Sequence, residues 1–176
     1  MQKKLDLFAN AAIALVALLI GFTLIRQQID RSYAAKALAA SNALQNQVRP
    51  GTPLAPIAGY PWAKHDRTLV LALRYGCSHC EHNMAFYKQL EDQIQQRDAK
   101  TSLLSVFPDD SFVARHDLDS HSLGAMPFVA NINFAALHVP GTPTLLLVNN
   151  QGTILQSWIG ELSPREQDDV MKTVQQ

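Results

Sequence analysis

The chain has 176 residues, of which 47% are hydrophobic and 17% are charged. This length suits one domain of ordinary size, and this composition excludes intrinsic disorder and low-complexity fibres. The 15 basic and 15 acidic residues cancel overall, but residues 1–49 hold six basic and two acidic side chains, whereas residues 50–176 hold nine basic and thirteen acidic ones. Because clustered Lys and Arg are needed to bind phosphate backbones, the acidic larger part disfavours nucleic acid as a partner.

The first predicted element is a membrane anchor at residues 7–25, behind a short tail of residues 1–6. Its nineteen residues carry no charge, and an apolar helix of about 20 residues crosses a hydrocarbon core roughly 30 Å thick. A cleaved signal peptide has a shorter apolar region, about 7–15 residues, so the length favours an uncleaved anchor. Positive groups are balanced on its two flanks, and charge therefore leaves its orientation open.

Residues 26–49 are rich in Ala, Leu, Gln and Lys and contain neither Gly nor Pro, which predicts a helical stalk. Apolar residues such as Val48 are sparse in it, so an exposed spacer is favoured over a coiled-coil dimer. Pro50 and Gly51 then end the helix and begin a globular domain over residues 50–176.

The first half of this domain alternates strands with helices. The apolar run Leu69–Leu73 predicts a strand buried on both faces. Apolar residues three and four positions apart over residues 84–94 predict an amphipathic helix, and Ser102–Phe107 predicts a second strand. Residues 111–138 have the least regular pattern, within which some helix is expected.

The second half predicts a hairpin followed by a helix. Thr144–Val148 and Thr153–Ile159 flank a Gly-containing loop, which is typical of two antiparallel strands. Ser163, Pro164 and Glu166 then supply a capping hydroxyl, a proline at the first helical position and a glutamate three residues after the cap. The predicted fold class is α/β with a mixed sheet.

Cys77 and Cys80 lie where the first predicted strand meets the first predicted helix. Such a junction places the first sulfur near the free N–H groups and the positive end of a helix dipole, which stabilise a thiolate. Cys77 is therefore the predicted nucleophile, and Cys80, one turn later, is predicted to resolve a mixed disulfide. A protonated imidazole at His79, between them, would favour the thiolate further.

Together with Gly141-Thr142-Pro143-Thr144, this motif resembles the thioredoxin fold, in particular membrane-anchored bacterial thioredoxin-like proteins of the redoxin or cytochrome-maturation type. The resemblance covers about residues 50–176. It implies a central mixed β-sheet flanked by helices, and thiol-disulfide exchange with protein substrates and a redox partner protein, without a cofactor. It also implies that a cis peptide bond precedes Pro143 and that this proline packs against the active-site disulfide.

The chain departs from this family beside its first cysteine. Many thioredoxins have Trp where this chain has Gly76, so Tyr75 or Trp62 is expected to supply the aromatic side chain that faces the substrate. Thr142, next to the predicted cis-proline, is assigned to substrate binding as well. His79 replaces the proline of thioredoxin itself and resembles oxidising and isomerising relatives, which predicts a potential less reducing than thioredoxin's roughly −270 mV.

Two other functions remain open at this stage. Cys77, Cys80 and His82, with His79 or Met84, offer soft ligands that suit a copper- or zinc-delivery protein. The chain has no second cysteine pair, however, and no metal site is assigned. The third possibility is a membrane-tethered binding module that uses the fold without turnover.

Peroxidase activity and covalent haem attachment are excluded by single residues. Arg74 stands where peroxiredoxins have Thr or Ser, and Glu81 stands where a haem-attachment motif needs His. Since a stable disulfide persists outside the reducing cytosol, the chain is expected to be a single-pass protein of the inner (cytoplasmic) membrane with its domain in the periplasm.

Overall fold

A computed structural model of the chain describes residues 19–23, 25–28, 31, 33, 48–57, 59–96 and 101–175. The chain forms two compact units, residues 1–43 and residues 44–176. The described residues of the first unit are helical. The predicted anchor at 7–25 and the predicted stalk at 26–49 fall largely outside the described residues. None of the described helices is both long enough and apolar enough to cross a bilayer.

The second unit is built on a five-stranded mixed sheet. The strands are β1 (Arg67–Ala72), β2 (Thr101–Val106), β3 (Phe128–Val129), β4 (Thr144–Asn149) and β5 (Ile154–Ile159). They lie in the order β3-β2-β1-β4-β5. β1 pairs in parallel with β2 and antiparallel with β4, β2 is parallel to β3, and β4 and β5 form an antiparallel hairpin. The predicted strands and hairpin are confirmed.

The α-helices of this unit's described residues fall close to their predicted places. The helix expected within residues 111–138 occupies the start of that range. The last helix begins as predicted, because the N–H and the hydroxyl of Ser163 donate to Glu166 Oε2 at 2.8 and 2.6 Å. The helices are α1 (Ser78–Glu81), α2 (Met84–Gln96), α3 (Ser111–Ser120) and α4 (Pro164–Gln175).

The core lies on both faces of the sheet, as the apolar run in β1 predicts. Leu69 and Leu71 pack on the face that the four helices cover, and Val70 and Ala72 pack on the opposite face. Side chains of successive strand residues point to opposite faces, so an uninterrupted apolar strand requires cover on both. Irregular segments, residues 48–57 and 132–139, provide it on the second face.

Val48 corrects the predicted end of the exposed stalk, because its side chain is fully buried on this second face. The cause is a backbone pairing just beyond it. The N–H of Gly51 donates to the carbonyl of Ile154 at 2.8 Å, and the N–H of Ile154 donates to the carbonyl of Thr52 at 2.9 Å. These bonds hold the chain against the start of β5 and bring Val48 over the sheet.

Candidate active site

Cys77 lies in the loop between β1 and α1 and is the residue that caps the N-terminus of α1. The backbone N–H of Cys80 donates a hydrogen bond to Cys77 Sγ at 3.2 Å. The two sulfurs form a disulfide, with the two Cα atoms 5.2 Å apart. The Cys-x-x-Cys motif therefore lies at the strand-to-helix junction that the sequence predicts.

The backbone conformation at Gly76 explains why glycine stands where many thioredoxins have tryptophan before the first cysteine. Its φ angle is +67°, in the left-handed region. A Cβ added there would meet no atom within 4 Å, so conformation rather than space favours glycine. A tryptophan at this position would adopt a backbone conformation that costs L residues roughly 1–2 kcal/mol.

The two cysteines differ in exposure. Cys80 is completely buried and belongs to the core on the helical face of the sheet, whereas Cys77 is half-buried at the edge of that core. Of the two cysteines, therefore, only Cys77 is partly open to solvent. This asymmetry agrees with the predicted order of nucleophile and resolving thiol.

Thr142 contacts the sulfur of Cys77 from the other side of the site. Its hydroxyl donates a hydrogen bond to Cys77 Sγ at 3.3 Å, and its carbonyl oxygen lies 3.5 Å from the same sulfur. The peptide bond between Thr142 and Pro143 is cis, which confirms the prediction. Because hydrogen bonds to an anion favour its charged form, the Thr142 hydroxyl and the Cys80 N–H both favour a thiolate on Cys77.

Hydrogen bonds on both sides hold this proline turn in place. The Thr144 hydroxyl donates to the carbonyl of Gly141 at 2.7 Å, and the N–H of Gly160 donates to the carbonyl of Pro143 at 2.8 Å. Pro143 itself is buried. The turn that carries Thr142 is thus fixed to both strands of the hairpin.

His79 contacts a residue that the sequence analysis did not single out. Its Nδ1 lies 3.2 Å from Glu161 Oε2, and Nδ1 of His82 lies 2.9 Å from the same oxygen. Hydrogen bonds from His82 and His79 lower the pKa of the Glu161 carboxyl. Glu161 follows β5, far along the chain from the histidines, so no local motif connects them.

Tyr75 and Trp62 have different surroundings. Tyr75 is 54% exposed beside Cys77, with its N–H bonded to Asp109 Oδ2 at 3.0 Å. Trp62 lies against Gly152 in the hairpin turn, at the end of β4 opposite to Pro143. Tyr75 is therefore the more exposed of these two aromatic side chains, while Trp62 packs against the core.

A second polar cluster connects α1 to the end of α3. Nε2 of His121 lies 2.7 Å from Glu81 Oε2, and Nδ1 lies 2.8 Å from the backbone carbonyl of Asp117. Burial raises the pKa of the Asp117 carboxyl. Partial burial lowers the pKa of His121, but hydrogen bonds to Asp117 and Glu81 outweigh that effect and raise it above 6.5.

This cluster predicts that the stability of the protein falls as pH rises above neutrality. Because the pKa of His121 is raised in the folded state, its contribution is complete below the unfolded value, about 6.5, and is lost as pH rises through the folded value. In His121→Gln, the difference in unfolding free energy between mildly acidic and mildly basic pH should shrink by at most about 1 kcal/mol, because the partner carboxylate of Glu81 is solvent-exposed. Urea unfolding at several pH values from mildly acidic to mildly basic measures it, and an unchanged slope would contradict it.

In the described part of the chain, the clusters of donor side chains that could hold a metal ion do not contain either cysteine. Groups of at least three donor side chains close enough for one ion are His79-His82-Glu161 and Glu81-Asp117-His121. The histidines considered as companions of Cys77 and Cys80 for metal delivery thus converge on a carboxylate instead.

Comparison with solved structures places this unit in the thioredoxin fold. The structure matches the thioredoxin domain of a thiol-disulfide oxidoreductase from Bacteroides vulgatus with a TM-score of 0.57 and 17% identity, over 72% of this chain and 98% of that one. It matches a thiol:disulfide interchange protein from a Bacteroides species (TM-score 0.53, 16% identity, 73% and 91%) and StoA from Bacillus subtilis (0.50, 18%, 60% and 82%). No protein-family model and no curated protein matches the chain.

Proposed function

We propose that this chain is a thiol-disulfide oxidoreductase that exchanges disulfides with partner proteins through Cys77 and Cys80. The observation that carries this proposal is the unequal burial of the two cysteines within one disulfide: Cys77 is half-buried and Cys80 is completely buried. In addition, Cys77 Sγ accepts hydrogen bonds from the Cys80 N–H and the Thr142 hydroxyl. The thioredoxin fold and the names of its structural neighbours support the same class of reaction.

In the reducing direction, the Cys77 thiolate attacks one sulfur of a partner disulfide. A bond forms between Cys77 and that sulfur, and the other partner sulfur leaves as a thiolate that takes up a proton. The Cys80 thiol then loses its proton and attacks Cys77 Sγ, which closes the Cys77–Cys80 disulfide and releases the second partner thiol. Two electrons pass from the cysteine pair to the partner, and the reverse sequence oxidises a partner dithiol.

The surface around Cys77 is suited to a polypeptide substrate. Tyr75, two residues before Cys77, offers an exposed aromatic ring, and Thr142, which contacts the Cys77 sulfur, is partly exposed. We assign both residues to substrate contact. His79 also lies at this surface, with a side chain that is 67% exposed.

The redox potential is expected to lie above the roughly −270 mV of thioredoxin. Whatever stabilises the Cys77 thiolate favours the reduced protein and makes its disulfide more oxidising. The structure supplies two donors to that sulfur, the Cys80 N–H and the Thr142 hydroxyl.

The function is tested by equilibrating the full chain, purified in detergent, with glutathione buffers of graded potential. Thiols are trapped with an alkylating reagent and the oxidised fraction is measured by mass spectrometry. We expect a two-electron transition less reducing than that of thioredoxin, and catalysed reduction of a disulfide-containing model protein. A folded chain whose cysteines exchange disulfides with neither glutathione nor the model protein would refute the proposed enzyme activity and favour a binding module.

The control for this experiment is the double variant Cys77→Ser/Cys80→Ser. These are the only two cysteines of the chain, so the variant removes every thiol while leaving the rest of the surface intact. Any turnover that survives in it would have to come from a contaminant.

We also propose that residues 7–25 anchor the domain on the periplasmic side of the inner membrane. Supporting features are the uncharged length of this segment and the exposed apolar side chains of its described helical residues, namely Leu19, Ile20, Phe22 and Ile25. Protease added to spheroplasts that express the chain should degrade residues 50–176. Protection of this domain while an external marker is digested would reverse the orientation.

A further inference from the structure

The imidazoles of His79 and His82 converge on one oxygen of Glu161. The histidines are three positions apart, His79 within α1 and His82 at its C-terminal cap, and their rings are 6.4 Å apart at an interplanar angle of 85°. Their Nδ1 atoms lie 3.2 and 2.9 Å from Glu161 Oε2. The donor atoms of the three residues all lie within 4.8 Å of one another.

This donor set matches the ligand chemistry and geometry of zinc. Two imidazoles, one carboxylate and a water molecule form a common tetrahedral set for Zn²⁺. With metal–ligand bonds of about 2.0–2.1 Å, neighbouring donors of a tetrahedron lie about 3.3 Å apart, close to the 3.2 and 2.9 Å separations observed here. We propose that His79, His82 and Glu161 form a zinc-binding site on the rim of the redox centre.

The charge state of the site suits a cation. The carboxylate of Glu161 supplies the negative charge of the set, and Oε2 is the oxygen that both imidazoles face. Zinc would bind Nδ1 of each neutral ring, and the one proton of that ring would then lie on Nε2. Side-chain exposures of 67%, 61% and 44% for His79, His82 and Glu161 leave room for an aqueous fourth ligand.

The position of this site connects the two halves of the redox centre. His79 stands between the two cysteines in α1. Glu161 directly follows Gly160, whose N–H donates to the carbonyl of Pro143 at 2.8 Å. A zinc ion held here therefore bridges the cysteine-bearing helix α1 and the segment after β5 that is hydrogen-bonded to Pro143, without using either sulfur as a ligand.

The second group of donors, Glu81, Asp117 and His121, is less suited to an ion. Both nitrogens of His121 are already engaged, Nε2 with Glu81 at 2.7 Å and Nδ1 with the Asp117 carbonyl at 2.8 Å. The Asp117 side chain is only 3% exposed. A metal there would have to enter a partly buried place with little room for an aqueous ligand, so this cluster serves as the comparison in the test.

The test is a calorimetric titration of Zn²⁺ into the full, tag-free chain in detergent, at neutral pH and with the Cys77–Cys80 disulfide intact. We expect one zinc ion per chain. Because loss of an outer-shell partner alone costs about 10–100-fold in metal affinity, removal of a ligand in His82→Ala or Glu161→Gln should weaken binding by more than about 100-fold. Titration with Co²⁺ should show the visible absorption of a tetrahedral site, which these two variants lose.

Three matched variants distinguish this site from the alternatives. His116→Ala removes an exposed histidine outside both groups and should bind zinc as the original chain does. Loss of zinc binding in His121→Ala, with retention in His82→Ala, would place the metal in the other cluster and overturn the proposal. The double variant Cys77→Ser/Cys80→Ser should retain zinc binding. Zinc binding that appears in the original chain only after reduction, and that this double variant lacks, would place the metal on the cysteines.

Absence of saturable binding to the folded, oxidised chain would also overturn the zinc site. Circular dichroism of Glu161→Gln, a substitution that keeps the size of the side chain, shows that a lost site is not a lost fold. These measurements use the disulfide form and no redox turnover, so failure of the zinc site and failure of the proposed enzyme are separate outcomes.

Discussion

Cys80→Ser should accumulate a covalent mixed disulfide between Cys77 and a partner protein, and Cys77→Ser should accumulate none. In the first variant the accessible nucleophile remains, but the buried thiol that releases the partner is missing. In the second variant the remaining thiol is completely buried and no partner reaches it. Turnover in both variants should fall by at least about 1,000-fold, as is usual when one member of a cooperating catalytic pair is removed.

Non-reducing electrophoresis and mass spectrometry of complexes captured from cells measure this difference. Alkylation of the reduced chain provides an independent check, because Cys77 should be modified before Cys80 at mildly acidic pH. Mixed disulfides captured through Cys80, or faster alkylation of that residue, would reverse the assignment of nucleophile and resolving thiol. Disulfides formed equally well in both single variants after unfolding would show that the order depends on the folded site.

Local patterns of the sequence predict most of the sheet and the helices. The apolar run that forms β1 requires burial on both faces. The two strand-forming segments of the hairpin are separated only by a short Gly-containing loop, which favours antiparallel pairing. Ser163 and Glu166 satisfy each other's backbone and side-chain groups within four residues. Signals of this kind are complete within one segment of the chain, which is why they can be interpreted without a structure.

The elements that the sequence did not predict depend on distant parts of the chain. β3 has two residues, Phe128 and Val129, and is a strand only because β2 lies beside it; two residues are too few to show a period. Val48 is buried because the segment after it pairs with Ile154, more than 100 positions away.

The candidate site divides in the same way. The sequence predicts Cys77 and Cys80 at the strand-to-helix junction and Thr142 before a cis-proline, where the structure has them, since the helix start and the proline turn are local features. It assigns His79 to the thiolate, however, and cannot indicate that Glu161 binds the imidazole, because the end of β5 meets α1 only in the folded chain. His82, considered from the sequence as a metal ligand beside the cysteines, reaches the same oxygen for that reason.

Leu71→Ala should destabilise the protein strongly without changing the order of thiol chemistry. Leu71 is completely buried in the central strand, between Ser105 of β2 and Leu145 of β4. It belongs to the core cluster that also contains Cys80. Truncating a fully buried leucine removes its apolar contacts and leaves a cavity, which costs about 2–5 kcal/mol of unfolding free energy.

Leu155→Ala is the matched control, since it makes the same change in a strand of the same sheet. Leu155 lies in β5 and is 41% exposed, so its truncation should cost less than about 1 kcal/mol. Urea unfolding of the oxidised chain, followed by tryptophan fluorescence, compares the two variants; Trp158, buried in the same cluster as Leu71, reports on this core. Equal losses of stability would mean that β1 is not the centre of the core, whereas Leu71→Ala that stays folded at low temperature should still be alkylated at Cys77 first.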